Sequence, residues 1–293
     1  MVLTMISLEI LKRIREIEIS TRRALNGSQV GGYSTAQKGS GFEFDQIREY
    51  QYGDDVRFID WKSSARSQKS LVKQYLEERN RTIMIGVDVS ASMLFGSSEL
   101  LKIEHAQQVA AIIALVAESG KDRVGLILFS DIIEAVIPPS RGRKHTDRLL
   151  AELFTCTAKH KKTDARIFFN HPLIKNRKRE LVFVLSDFFT DGFETSLSAV
   201  ARYKEMVFVR CTDVREQEPT SAGLLWMEDV ETGESALVDT GMKNVKKVSS
   251  FIREHRELQS RLFKKYRADE LALQSDQDLV KTIVKFFRKR LMY

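Results

Sequence analysis

Clustered histidines, a phosphate-binding glycine loop, paired cysteines and long apolar runs are all missing from these 293 residues. Each absence narrows what the chain can do. The two cysteines, Cys156 and Cys211, stand alone in apolar contexts and read as buried thiols, which fits a reducing, cytoplasmic setting. Only four prolines, beside 43% hydrophobic residues, argue against disorder. No apolar run approaches the roughly 20 residues that cross a bilayer. The N-terminus alternates Ile and Leu with Lys, Arg and Glu from Leu8 onward, unlike a signal peptide or membrane anchor. The five histidines (His105, His145, His160, His171, His255) are scattered, with no H-E-x-x-H spacing. Gly120-Lys121 lacks the glycines of a P-loop, so the chain is not expected to hydrolyse nucleotides.

What is present reads as one large α/β domain with smaller elements before it. An amphipathic helix is expected over Ser7–Leu25, with Leu8, Leu11 and Ile14 on one face, so residues 1–26 form a first segment. Residues 27–80 begin in a polar Gly/Ser loop and continue as a densely charged segment. Small strands are expected there near Phe42–Phe44, Val56–Asp60 and Leu71–Leu76, with a turn at Tyr52-Gly53-Asp54.

From Arg81, residues 81–293 alternate strand and helix. Strands are expected at Thr82–Val89, Arg123–Phe129, Ile132–Ile137, Glu180–Ser186, Met206–Cys211 and Glu270–Leu273. Helices are expected at Glu99–Ser119, Arg143–Thr157, Asp164–Ile174, Thr195–Tyr203, Asn244–Tyr266 and Gln277–Leu291. Leu224–Met227 and Ser235–Val238 read as an exposed hairpin. The pattern predicts a doubly wound, mostly parallel sheet with one antiparallel edge strand at Ile132–Ile137. Ligands in such folds sit beyond the carboxyl ends of the strands.

The run IMIGVDVSASM puts Asp88, Ser90 and Ser92 at such a strand end. Alternate residues of an extended segment point the same way, so their oxygens converge. A carboxylate with two hydroxyls suits a hard cation such as Mg²⁺, with Mn²⁺ or Ca²⁺ as alternatives. The plain reading of D-x-S-x-S is a strand end and helix cap. The second strand ending in an acid, LVFVLSD at Asp187, favours the site.

Together these residues resemble the metal-ion-dependent adhesion site of von Willebrand factor A domains. That resemblance implies five ligands: Asp88, Ser90, Ser92, Thr163 and Asp187. Thr163 is placed by chain order; Thr157 is its alternative, and an N-cap role is the plain reading. Asp191, in a turn, competes with Asp187. The chemistry implied is binding, with a partner's Asp or Glu completing the metal's shell, and no enzyme constellation is found.

The segment REYQYGDDVRFIDWKSSAR carries a narrower resemblance. Gly39, Gly41, Glu43, Phe44, Arg48, Tyr50, Gly53, Asp54, Asp55, Arg57, Ile59, Asp60, Trp61, Ala65, Arg66, Glu78 and Arg79 match the bacterial family called domain of unknown function fifty-eight. The match spans essentially the whole chain from Gly27. It implies a MoxR-type AAA+ ATPase as partner. Many members of that family also carry membrane spans; their lack here favours a soluble adaptor. Arg48, Asp54, Asp55, Arg57, Asp60, Trp61 and Arg66 have two readings. One is an ion-pair network docking this segment on the core around a buried Trp61. The other is a recognition surface with Arg57 or Arg66 facing a partner's carboxylates.

The net charge of +7 permits an anionic partner without requiring one. Lys246, Lys247, Arg253, Arg256, Arg261, Lys264 and Lys265, and the terminal KFFRKRLMY, read as solvated helix faces. Peripheral contact with anionic lipid is an alternative, as is a metal-dependent hydrolase. No stacking motif points to nucleic acid.

Overall fold

The computed structural model describes residues 43–52, 54–76, 81–97, 100–217, 221–229, 231, 233–274, 282, 283 and 286. The helix expected over Ser7–Leu25, the residues Gly39, Gly41, Gly53, Glu78 and Arg79, and most of Gln277–Leu291 lie outside them. The chain divides into two compact units, with residues 32–80 forming one and residues 81–293 belonging to the other.

In the smaller unit, β1 (Glu43–Glu49) and β2 (Leu71–Leu76) pair antiparallel. Between them the chain coils rather than extends. Val56–Phe58 is a 3-10 turn and Trp61–Ser67 is a helix, α1. The strand expected at Val56–Asp60 is therefore replaced, and only a single bridge from Ile59 to Val72 survives of it. The cause is local capping. The Asp55 carboxylate accepts from Arg57 N, and Asp60 accepts from Lys62 N and Ser63 N. Both short acids satisfy turn amides that an extended strand would leave unpaired.

The larger unit is one six-stranded sheet. Its strands are β3 (Thr82–Asp88), β4 (Arg123–Phe129), β5 (Ile133–Ser140), β6 (Glu180–Ser186), β7 (Lys204–Thr212) and β10 (Asp269–Gln274). They lie in the order β10-β7-β6-β3-β4-β5. Every neighbouring pair is parallel except β4 with the edge strand β5. This is the doubly wound, mostly parallel sheet that the strand–helix alternation predicts.

The helices are α2 (Lys102–Ser119), α3 (Arg143–Thr155), α4 (Ala165–Asn170), α5 (Pro172–Lys175), α6 (Glu194–Ala201), α7 (Val214–Gln217) and α8 (Met242–Lys265). The single helix expected over Asp164–Ile174 is two. His171 turns extended before Pro172, as a residue preceding proline tends to do. Strands β8 (Leu224–Glu228) and β9 (Ser235–Asp239) form the expected hairpin. No described helix is long and apolar enough to cross a membrane.

Strand alternation sorts the core into two layers. Ile83, Ile85 and Val87 of β3 face the aliphatic layer with α2 and α3, while Met84 faces a layer dominated by phenylalanine. There Phe208 stacks on Phe263 at 4.0 Å between ring centroids. Gly86 lies on that second face, and the Phe168 ring occupies the space a Cβ would need. Asp88 continues the same alternation.

The chain runs from β3 outward to β4 and β5, then crosses back to β6 on the other side of β3. The topological switch point thus falls between β3 and β6. Their carboxyl ends carry Asp88 and Ser186-Asp187.

Candidate metal centre

Register sets the first contact. Val87 pairs with Leu185, so the next residues, Asp88 and Ser186, emerge side by side. The Ser186 hydroxyl donates to Asp88 Oδ2 at 2.7 Å, and Ser90 N donates to Asp88 Oδ1 at 3.0 Å. Asp88 and Ser90 are fully buried. After the strand, Ala91–Leu94 folds into a 3-10 turn, which brings the Ser90 and Ser92 hydroxyls to 3.2 Å of each other. The Ser92 hydroxyl also favours the charged form of Asp187. Three of the five expected ligands, Asp88, Ser90 and Ser92, are therefore linked by hydrogen bonds, and the charge of Asp187 acts on Asp88 beside them.

Thr163 joins through its loop. Ala91 N donates to Lys161 O at 2.9 Å, and Asp164 N donates to Ser130 O at 3.1 Å. These two bonds anchor the Lys-rich loop beside the serine turn. The N-cap of α4 is Asp164, whose carboxylate accepts from Arg166 N. The plain reading of Thr163 as a helix cap is thereby removed. Its hydroxyl instead donates to Glu231 Oε1 at 3.2 Å. Thr157 and Asp191 are both exposed, and neither takes part in the hydrogen bonds of this group.

Three charged residues that sequence reasoning did not single out complete the surroundings. Lys102, 3% exposed, places its ammonium 2.9 Å from Asp187 Oδ2 and 2.5 Å from Glu216 Oε1. A lysine in the first turn of a helix opposes the helix dipole, so two acids offset a placement that is otherwise unfavourable. Beside them, Asp213 follows β7 and accepts from Ser97 N at 2.9 Å. Its position after a parallel strand, like that of Asp187, was the one available signal in the sequence. Lys102 and Glu216 meet across 114 residues, and nothing local marks either.

The electrostatics are asymmetric. Burial first, then the charge of Asp187, push the Asp88 carboxyl well above the usual carboxylate range. Burial would also raise Asp187, but the Lys102 charge and hydrogen bond, the Phe189 amide and Ser92 overcome it and hold Asp187 low. For Lys102, burial is outweighed by Asp187 and Glu216, which keep it above the ordinary ammonium range. One buried acid is thus paired and its neighbour is not.

Among the described residues, no three His, Cys, Asp or Glu side chains converge as a metal-binding group. A cation here would draw on hydroxyls as well as carboxylates. Asp88, Ser90, Ser92, Thr163 and Asp187 offer oxygen alone, which suits Mg²⁺ or another hard cation. Positive charge between Asp88 and Asp187 would relieve their repulsion. On these observations the donor set fits such an ion.

The charged residues of the smaller unit mostly satisfy one another. Arg48 makes a bidentate pair with Asp54, both bonds 2.7 Å, and Arg57 forks onto Asp55. Asp60 caps α1 and lies 3.7 Å from Lys73. Trp61, buried in the docking reading, is 73% exposed, because it opens a short helix that buries no residue. Arg66 is exposed as well. Of the two thiols, Cys211 is buried as expected while Cys156, just past the end of α3, is only half-buried.

The sequence profile of the family described as Protein of unknown function DUF58 matches residues 46–259. An uncharacterized protein of Mycobacterium bovis is 27% identical over 285 residues, covering 94% of this chain and 88% of the relative. An uncharacterized protein of Mycobacterium tuberculosis matches to the same extent. Among solved structures, the conserved hypothetical protein BatB from Bacteroides thetaiotaomicron aligns with a TM-score of 0.46 at 15% identity, over 73% of this chain and 100% of that one. The SpRpn10 VWA domain aligns with a TM-score of 0.38 at 13% identity, over 69% and 93%. At such scores the fold assignment rests on the strand order itself.

Proposed function

This chain belongs to the DUF58 family, and from that premise we propose that it is a protein-interaction module, not an enzyme, built around a Mg²⁺ site. Asp88, Ser90, Ser92, Thr163 and Asp187 hold the ion, and Mn²⁺ or Ca²⁺ are chemically acceptable substitutes. The partner is a MoxR-type AAA+ ATPase or a protein it acts on, engaged through an acidic side chain.

The observation that carries this reading is the unpaired state of Asp88. A fully buried carboxylate beside a second one is unfavourable by itself. Its two oxygens already accept from Ser186 and Ser90, yet its carboxyl is still displaced upward. A bound divalent ion would supply the missing positive charge and accept a ligand's carboxylate oxygen. The chain's own residues then have distinct tasks. Ser186 and the Ser90 amide orient Asp88. Lys102 holds Asp187 and keeps it ionised, and the hydroxyls contribute oxygens without charge. Five donors leave one of the six positions of a Mg²⁺ ion open to a further oxygen.

Asp88→Ala is expected to abolish Mg²⁺-dependent capture of a MoxR-type ATPase without lowering Tm. Capture by the wild-type protein that persists in EDTA would overturn the reading.

A further inference from the structure

The hairpin of β8 and β9 stands out from the rest of the larger unit. Leu224, Trp226, Met227 and Leu237 are exposed, with Trp226 at 75%. Its tip behaves differently. Glu231 is half-buried and accepts a hydrogen bond from Thr163, 68 residues earlier in the chain.

The turn is built to present this residue. Asp229 Oδ1 accepts from Glu231 N at 2.8 Å, and the Asp229 carbonyl accepts from Gly233 N at 2.7 Å. Asp229 N donates to Glu234 O at 2.8 Å. Gly233 closes the turn at φ +74°, a conformation that favours glycine. The carboxylate so presented meets the hydroxyl of Thr163, one of the five oxygen donors of the site. Five oxygen donors leave one position of an octahedral shell open, and a carboxylate held beside one of them can fill it.

We infer that Glu231 is the chain's own carboxylate ligand for the cation of this site, standing where an acidic partner would bind. The inference rests on the Mg²⁺ site proposed above and gives that site a self-capped state. Partner carboxylates then compete with the hairpin tip, and the exposed hairpin must move for a partner to enter. Because the competitor is tethered, its effective concentration is high. A weak external acid therefore gains access only when the tip is altered.

The test uses the full chain as wild type, Glu231→Gln and Asp88→Ala, with Mn²⁺ alone as probe and sodium acetate as the added acid. Mn²⁺ affinity is read by electron paramagnetic resonance, and metal-bound water by proton relaxation. Glu231→Gln keeps the side chain's size and an oxygen that can accept from Thr163, and should keep the wild-type Tm. The expected result is Mn²⁺ binding weakened at least about tenfold in Glu231→Gln, the lower end of what supporting groups around metals contribute. Relaxation per bound Mn²⁺ should rise as water takes the vacated position, and acetate should reverse that rise. Acetate should leave the wild type unchanged. Equal affinity and relaxation in wild type and Glu231→Gln, with binding lost in Asp88→Ala, would overturn this inference and leave the metal site standing. No Mn²⁺ binding by the wild type, or undiminished binding by Asp88→Ala, would overturn both.

Discussion

Lys102 is the residue on which the site's charge balance turns. It is a cation buried at a helix start, and it reaches one acid at the end of β6 and another in α7. Removing one partner of a buried pair strands the other, at a cost of about 3–5 kcal/mol. Glu216 keeps 30% exposure and can be solvated, whereas Asp187, at 7%, cannot. Lys102→Met is therefore expected to destabilise by about 3 kcal/mol, measured by urea unfolding in EDTA. Mg²⁺ should recover part of that loss, since it would bring positive charge back to Asp187. A midpoint unchanged from wild type would show that the pair does not hold the fold. The sequence made half of this arrangement legible. Asp88, Ser90 and Ser92 follow from strand alternation, and Asp187 from its place after an apolar strand. Lys102, Glu216 and Glu231 could not be read, because each finds its partner 68 to 114 residues away. Only folding brings such distant segments together.

Among the elements, β6 and β4 were legible to the residue, since continuous apolar runs bounded by charges admit little else. Failures occurred where short polar residues choose the backbone. Asp55 and Asp60 turned an expected strand into turn and helix, and Pro172 divided a helix. Strand β3 adds a constraint invisible to propensity. A Cβ on Gly86 would lie 2.3 Å from Phe168 Cε2, and Phe168 packs on Phe129 and Phe169, so the ring has little room to yield. Gly86→Ala should cost about 1–3 kcal/mol, the usual range for overpacking a filled core. Because Gly86 lies two residues before Asp88 on the same face, the strain should also weaken metal binding. Urea unfolding checks the first effect and Mn²⁺ titration the second. Unaltered stability would mean that the aromatic layer is looser than its packing indicates.

For the whole molecule, a net charge of +7 conceals acids held at unfavourable places, and these make global stability depend on pH. Asp122, between α2 and β4, illustrates the sign. Burial pushes its carboxyl up to about 6, against the pull of Arg81 and Arg141. In the unfolded chain an aspartate titrates near ~3.9. Between those values the folded protein binds the proton more tightly than the unfolded chain does. Its contribution to stability is therefore fully present below about pH 4 and is lost as pH rises through about 6. Above that, the folded state carries a charge it disfavours. Asp122→Asn removes the charge and should stabilise the protein at pH 7.5 by about 1 kcal/mol, a figure reduced for partial exposure and for the lost attraction of Arg81. The advantage should shrink to nothing at pH 4, where both proteins are neutral at that position. Comparing Tm for the two proteins from pH 4 to 8 isolates this group from Asp88 and Asp187, which titrate alike in both. A constant difference across that range would show that Asp122 acts through shape rather than charge.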